Sequence, residues 1–384
     1  MKPNNCASLL GIVLSLVIAA GCGGGSTSTR TSNGGGGRGP VTASVSTTIK
    51  VGTAPSAIAA DSTANKIYVA DFGTQPAVSG TQFCSPTGAD IAVIDGVTGS
   101  TTSTSVPFGF VPGQTNPIAV ALNPSNHTID VVVREWGVNW TGKGCVHMID
   151  RVLAIDSSTF ALNGFISLWL DSGVAGVAGI DVNQTTGSTY VTHEGFVSGQ
   201  NVGIVDDIGV TTISVGTKPA GVAVNTTTNK LYVANTGSND ISVIDGASNS
   251  VVATITDPNA VLPVAVAVNP TTNTIYVANS QSNNVTVIDS ATDSVTATIP
   301  VGTAPSGVDV DSQTNFIYVA NAGNAQSGNP GNIIVINGKT NAMQTLTDSN
   351  AKNPVAVAVN PTTNKIYVAN SGSNNVTVID GAHD

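Results

Sequence analysis

The string KIYVANSGSNNVTVID at 365–380 nearly duplicates TIYVANSQSNNVTVID at 274–289. Related copies begin near residues 54, 116, 175, 219, 263, 305 and 354. Tyr232, Tyr276 and Tyr318 mark the same point in three of them, at separations of 44 and 42 residues. A period of this size, filled with several short strands, restricts the chain to propeller blades or a solenoid. A single unit cannot bury both faces of its sheet, so neighbouring units must stack.

Each unit reads as four strands. GVAVN or VAVAVN alternates small and branched apolar residues and forms strand a, NPTTNK is a turn, and IYVAN forms strand b. SGSNN is the next turn, VTVID is strand c, GASNS a further turn, and VVATI strand d. Asn, Asp and Gly at the turns supply the positive φ values that tight hairpins need. The VGTAP and VGTKP segments at 51, 215 and 301 link units, and their Pro stops the strand from continuing. Seven units are counted. In the second, NPSNHTIDVVVREWG (123–137) carries Asp130 where the others carry Tyr, and in the third, NQTTGSTYVTHEG (183–195) keeps Tyr190.

The strand b signature appears mostly as YVAN and once as YVTH (190–193), and on it the chain resembles the YVTN family of β-propeller repeat proteins over about residues 44–384. The resemblance implies an all-β, seven-bladed β-propeller of four-stranded antiparallel blades and brings no chemistry with it. Closure of the ring removes exposed edges, which protects a β protein from edge-to-edge aggregation. The last unit lacks strand d, whereas ASVSTTIKVG (43–52) precedes the first strand a and resembles other d strands. The N-terminal strand is therefore expected to complete the last blade. A seven-turn open solenoid is the alternative, and it leaves both ends uncapped.

Composition agrees with an all-β chain. Only 9% of the 384 residues are charged, and Glu occurs just twice, at Glu135 and Glu194. Helix-period runs of Leu, Glu, Lys and Ala are missing beyond the N-terminus. A net charge of -10 without a Lys/Arg cluster argues against nucleic acid and anionic lipid as partners. At the N-terminus, Lys2, the apolar run LLGIVLSLVIAA (9–20) and AAGC (19–22) have the order of an export signal. The run resembles a bacterial lipoprotein lipobox, which implies a signal peptide over 1–22 and lipid on Cys22; cleavage without lipidation is the other outcome. A Gly/Ser-rich linker (23–42) follows, then the propeller domain (43–384). The expected protein is a monomer of the cell envelope, lipid-anchored or secreted, that touches the membrane only through its N-terminal lipid.

Candidate chemistry gathers where the repeat breaks down. Blade 1 inserts FGTQPAVSGTQFCSPTGAD (72–90) after strand b, blade 2 inserts REWGVNWTGKGCVHMIDR (134–151) at the same place, and blade 6 has AGNAQSGNPGN (322–332). The first two insertions carry Cys84 and Cys145, which in an exported chain either form a disulfide or remain two separate thiols. Arg134, Glu135, Trp136, Trp140, His193 and Glu194 compose a candidate rim that would bind a protein, a glycan or a small ligand; the competing reading is a loop packing its own small core. The residues closing strand b, among them Asp71, Asn235, Asn279, Asn321 and Asn370, either ring the channel mouth or cap the adjoining turns. Asp95, Asp206, Asp245, Asp289 and Asp380 end strand c and read as turn caps.

His127, His147, His193 and His383 fall in different units without zinc spacing, so no metal is expected, and no motif indicates a cofactor. Two classes of function follow. The favoured one is a non-enzymatic binding scaffold using blades 1 to 3. The alternative is a lactonase-like or lyase-like propeller enzyme with its site in the central channel and His193 with Glu194 as acid and base, a fold-level possibility.

Overall fold

A computed structural model describes residues 41–74, 77–78, 84–85, 89–105, 115–138, 145–168, 177–197 and 200–383. The signal and linker segments, the expected lipidation site Cys22 and the rim residue Trp140 lie outside the described residues. Seven four-stranded antiparallel sheets form the fold, together with a two-stranded ladder, Ala77–Val78 with Cys84–Ser85. The innermost strands are Pro55–Asp61, Thr115–Asn123, Gly179–Val182, Pro219–Asn225, Pro263–Asn269, Pro305–Asp311 and Pro354–Asn360. Each lies beside the innermost strands of the blades before and after it, and the seventh meets the first. The result is a closed seven-bladed β-propeller.

Closure follows the expected route. Ser44–Lys50 pairs antiparallel with Asn375–Asp380, so the seventh sheet runs from Pro354–Asn360 outward through Lys365–Asn370 and Asn375–Asp380 to a strand from the start of the chain. Val45 and Ile49 pack against the buried cores on the two sides of this blade. Thr48 Oγ1 donates to Asp348 Oδ2 at 2.8 Å, and that oxygen also accepts from Thr377 Oγ1 at 2.7 Å.

Between blades the repeat explains itself through Tyr. Tyr68, Tyr190, Tyr232, Tyr276, Tyr318 and Tyr367 are all buried. Tyr232 belongs to blade 4 but packs with Ile275, Val277 and Ile288 of blade 5. Its hydroxyl donates to Ser290 Oγ at 2.6 Å in that blade's outer turn. The alternating strand thus sends Ile or Leu to one neighbouring blade and Tyr to the other. Turn positions match the composition: Asn65, Asn229, Asn239, Asn273, Asn283, Asn364 and Asn374 all have φ between 48° and 56°, the region Asn tolerates best among residues with a Cβ. Asp95, Asp245 and Asp289 cap their turns as expected, each accepting the backbone N–H groups two and three residues on.

One expectation needs correction. The blade 2 insertion continues the sheet for much of its length: strands b and c run Thr128–Val138 and Cys145–Asp156, against Lys230–Asn235 and Asp240–Asp245 in blade 4. Blade 3 does the same with Thr189–Val197 and Gln200–Asp207. Alternating residues carry the ladder beyond the ordinary blade, so Trp136 stands opposite His147 in paired strands.

Candidate functional site

The extended strands of blades 2 and 3 set the geometry of the rim. Val132 and Val152 of blade 2 pack with Val191 of blade 3. By the alternation of a strand, Arg134, Asp150 and His193 lie on these same facing sides, one step further out. Arg134 Nε donates to Asp150 Oδ1 at 3.3 Å, and the fully buried Asp150 also accepts the Val177 N–H on Oδ2 at 2.7 Å. His193 Nε2 lies 2.9 Å from Asp206 Oδ2, and its Nδ1 lies 3.0 Å from the Glu194 carbonyl oxygen.

Burial by itself would lower the His193 pKa. The bond to Asp206, the Glu194 carbonyl and the negative charges of Asp206 and Asp150 outweigh it, and the net shift is upward. Its contribution to stability is therefore present below the ordinary histidine range and is lost as pH rises through the raised value. On the other face of the hairpin, Arg151 Nε donates to Glu135 Oε1 at 2.8 Å and its guanidinium stands 5.4 Å from the Phe165 ring centre. Trp136 Nε1 donates to Asn116 Oδ1 at 2.5 Å, and the buried Asn116 amide bonds the Phe72 carbonyl of blade 1.

The structure therefore gathers Arg134, Asp150, His193 and Asp206 at the boundary of blades 2 and 3 and ties Trp136 toward blade 1. It does not join His193 with Glu194 as a proton-transfer pair: the imidazole bonds only the Glu194 backbone and takes its carboxylate partner from Asp206. Asp206 thus departs from its expected turn-capping role. Cys84 stands in the short ladder and Cys145 opposite Val138. Their side chains lie outside the described residues, and no cysteine pair at bonding distance is shown.

The ring of polar groups at the channel mouth is corrected as well. Asp71, Asn235, Asn279, Asn321 and Asn370 are fully buried within the blades. Asn235 Nδ2 donates to Asp240 Oδ1 at 2.7 Å, and Asn279, Asn321 and Asn370 donate to Asn284, Asn332 and Asn375 at 2.9–3.0 Å. Each amide locks the end of strand b to the start of strand c. In blade 1 both partners are carboxylates, Asp71 and Asp90. Burial first, then the hydrogen bond and charge of Asp90, push the Asp71 pKa up to about 8, although the Gly52 N–H on its Oδ2 at 3.0 Å acts in the opposite sense. Asp71 therefore keeps a proton at neutral pH and supplies the donor that Asn supplies elsewhere. Gly52 permits this crowding, since a Cβ there would stand 2.7 Å from both Asp71 and Asp90.

The central channel, about 370 Å³, is lined by the innermost strands. Five blades present Ala59, Ala121, Ala223, Ala267 and Ala358 at one level, and blades 3 and 6 present Asp181 and Asp309. Asp181 accepts the N–H groups of Val182 and Val224, and Asp309 those of Val310 and Val359, all at 2.8 Å. Each carboxylate so binds its own strand to the next blade. Burial raises the pKa of Asp181 to about 6 and that of Asp309 to about 7 against these favourable bonds. They are the ionisable side chains among the described residues lining the channel, and His193 and Arg134 do not enter it. Sequence reasoning missed Asp150, Asp90, Asp181 and Asp309. The last two were visible as breaks in the Ala position of strand a, and Asp90 aligns with Asp240.

No protein-family model matches the chain, and no curated protein matches it. Among solved structures it is similar to the β-propeller domain of Cps50 (Swd1) from Myceliophteria thermophila, with a TM-score of 0.62, 8% identity, and coverage of 89% of this chain and 99% of that one. At that identity the likeness speaks for the propeller fold alone.

Proposed function

We propose that this chain is a non-enzymatic binding scaffold of the cell envelope, of the YVTN-repeat type, exported through its N-terminal signal and anchored by lipid on Cys22 or released. The rim of blades 1 to 3 takes the partner, a protein, glycan or small ligand. The observation that carries this reading is the pairing of the rim charges with one another. Arg134 with Asp150 and Arg151 with Glu135 brace the two faces of the blade 2 hairpin, and His193 with Asp206 braces the blade 3 hairpin. Side chains committed in this way build a shaped surface, whereas a reaction centre needs ionisable groups converging on a space for substrate. Among the described residues the ionisable lining of the channel consists of two backbone-bonded aspartates, which offers the enzyme reading little support.

The test is quantitative capture from solubilised envelope with the mature protein and with the Trp136→Ala/Trp140→Ala variant. The expected result is loss of at least tenfold in one or more specifically captured components, with thermal stability of the variant within a few degrees of the parent. Identical capture by both proteins would remove the rim as the binding surface.

A further inference from the structure

We propose that the central channel binds a small carboxylate at the backbone N–H groups of Ala60 and Leu122, in the innermost strands of blades 1 and 2. The site follows from the repeat. Residues of an antiparallel strand pair alternate between bonding the partner strand and turning their N–H and C=O groups away from it. Val182, Val224, Val310 and Val359 are of the second kind, because their N–H groups donate to the channel carboxylates of Asp181 and Asp309. They stand opposite Thr189, Leu231, Ile317 and Ile366 of strand b. Ala60, Leu122 and Val268 hold the same register, opposite Ile67, Ile129 and Ile275. Each of the seven blades thus turns one N–H group into the channel at a common level.

Four of these seven donors are taken. Asp181 bridges blades 3 and 4, and Asp309 bridges blades 6 and 7, each with Oδ1 on the N–H of its own strand and Oδ2 on that of the next, all at 2.8 Å. Of the three that are left, Val268 in blade 5 stands alone between two blades whose groups are taken. Ala60 and Leu122 are neighbours, and among the described residues no acceptor meets either N–H. They make a third pair of the kind that a carboxylate closes twice elsewhere in the same ring.

Blade 1 lacks the side chain that would close this pair. Ala59 occupies the repeat position of Asp181 and Asp309. Ala59 and Leu122 both pack against the core between blades 1 and 2, so the Ala59 methyl group is directed toward blade 2 as the Asp181 side chain is toward blade 4. With Ala in place of Asp, the volume of a carboxyl group stays open beside the two donors, in the channel of about 370 Å³ that Ala59, Ala60 and Leu122 line. This volume lies near the lower end of small-molecule sites and limits the guest to a few carbon atoms. A backbone N–H bonds an ionised acceptor about twice as strongly as a neutral one, so the pair selects a carboxylate over an amide. Asp181 and Asp309 oppose a further negative charge only when ionised. Burial raises them to about 6 and about 7, which leaves the channel with little charge in mildly acidic solution.

Amide resonances of the isotope-labelled protein, followed at pH 5.5 and constant chloride during titration with acetate, acetamide and methylammonium, test the assignment. Acetate is expected to move the Ala60 and Leu122 N–H resonances downfield together and saturably, with a midpoint below about 100 mM and at least tenfold below that of acetamide. Those of Val182 and Val359 should stay in place, and methylammonium should move none of them. Ala59→Asp supplies the carboxylate from the chain itself. It should shift the Ala60 and Leu122 resonances without any added ligand and abolish their response to acetate. If that variant does not fold, the parent titration decides alone. Absence of a saturable shift at Ala60 and Leu122, an equal response to acetamide, or undiminished acetate binding by folded Ala59→Asp overturns the proposal.

Discussion

Deleting the strand Ser44–Lys50 should abolish the cooperative unfolding transition of the propeller or lower its midpoint by about 15 °C or more. The strand covers the outward side of Asn375–Asp380, as the fourth strand does in the other blades. Without it the backbone groups of Asn375–Asp380 lose their partners along the whole register from Ser44↔Asp380 to Lys50↔Asn375. The half-buried Val45 and Ile49 are withdrawn from two separate cores, at a cost of about 1 kcal/mol each. Asp348 loses one of its two hydroxyl donors. The exposed edge would also template association with other chains. Circular dichroism melts and light scattering on chains beginning at residues 41 and 52 measure both effects. An unchanged midpoint in the shorter chain would show that the other six blades hold the ring without closure.

The second large effect concerns Asp71. Asp71→Asn should stabilise the protein by about 2 kcal/mol at pH 9 and leave it nearly unchanged at pH 4. Asp71 has its pKa raised to about 8 in the folded protein against 3.8 as its ordinary value. A group raised in this way contributes most below pH 3.8 and loses that contribution as pH climbs through 8, so the parent weakens across this interval. An asparagine needs no proton to donate to Asp90, and blade 4 shows the result in its Asn235–Asp240 pair. Part of the pH slope should survive in the variant, because Asp181 and Asp309 are raised to about 6 and about 7 by burial in the channel wall. Urea titrations of both proteins at pH 4, 7 and 9 supply the comparison. Destabilisation of Asp71→Asn at pH 9 would mean that the second carboxylate is needed in its charged form.

Much of this molecule could be read from the repeat, since Tyr, Val and Ile recur wherever one blade meets the next, and Asn and Asp recur wherever a turn needs positive φ or a cap. The swapped strand was legible for the same reason, a missing unit at one end and a spare one at the other. The site was less legible. Arg134, His193 and Trp136 stood out as rare residues, but pairing between the strands of one blade depends on how far the extended strands carry the ladder, and no local pattern fixes that. Thus His193 took Asp206 rather than its neighbour Glu194, because adjacent residues of a strand point to opposite faces. Asn235 and its counterparts were expected to be channel groups or turn caps. Burial instead committed them to tying strand b to strand c, for an amide deep in a blade must find a partner there. The alternating Ala positions of strand a hid the channel aspartates until the seven strands were set side by side. Asp130 stands out in the sequence as a lost Tyr, but the cavity of about 500 Å³ beside it is recognisable only against the Tyr232 contact with blade 5.

In the proposed function the regular blades supply the frame and binding belongs to blades 1 to 3. Hydrogen–deuterium exchange of the mature protein, alone and with a component captured from envelope, tests this most directly. The predicted result is slowed exchange confined to 134–138, 145–151 and 193–197, with the equivalent turns 236–239, 280–283 and 371–374 of blades 4, 5 and 7 unchanged. Protection of those regular turns, with the blade 2 and 3 hairpins exchanging as in the free protein, would contradict it.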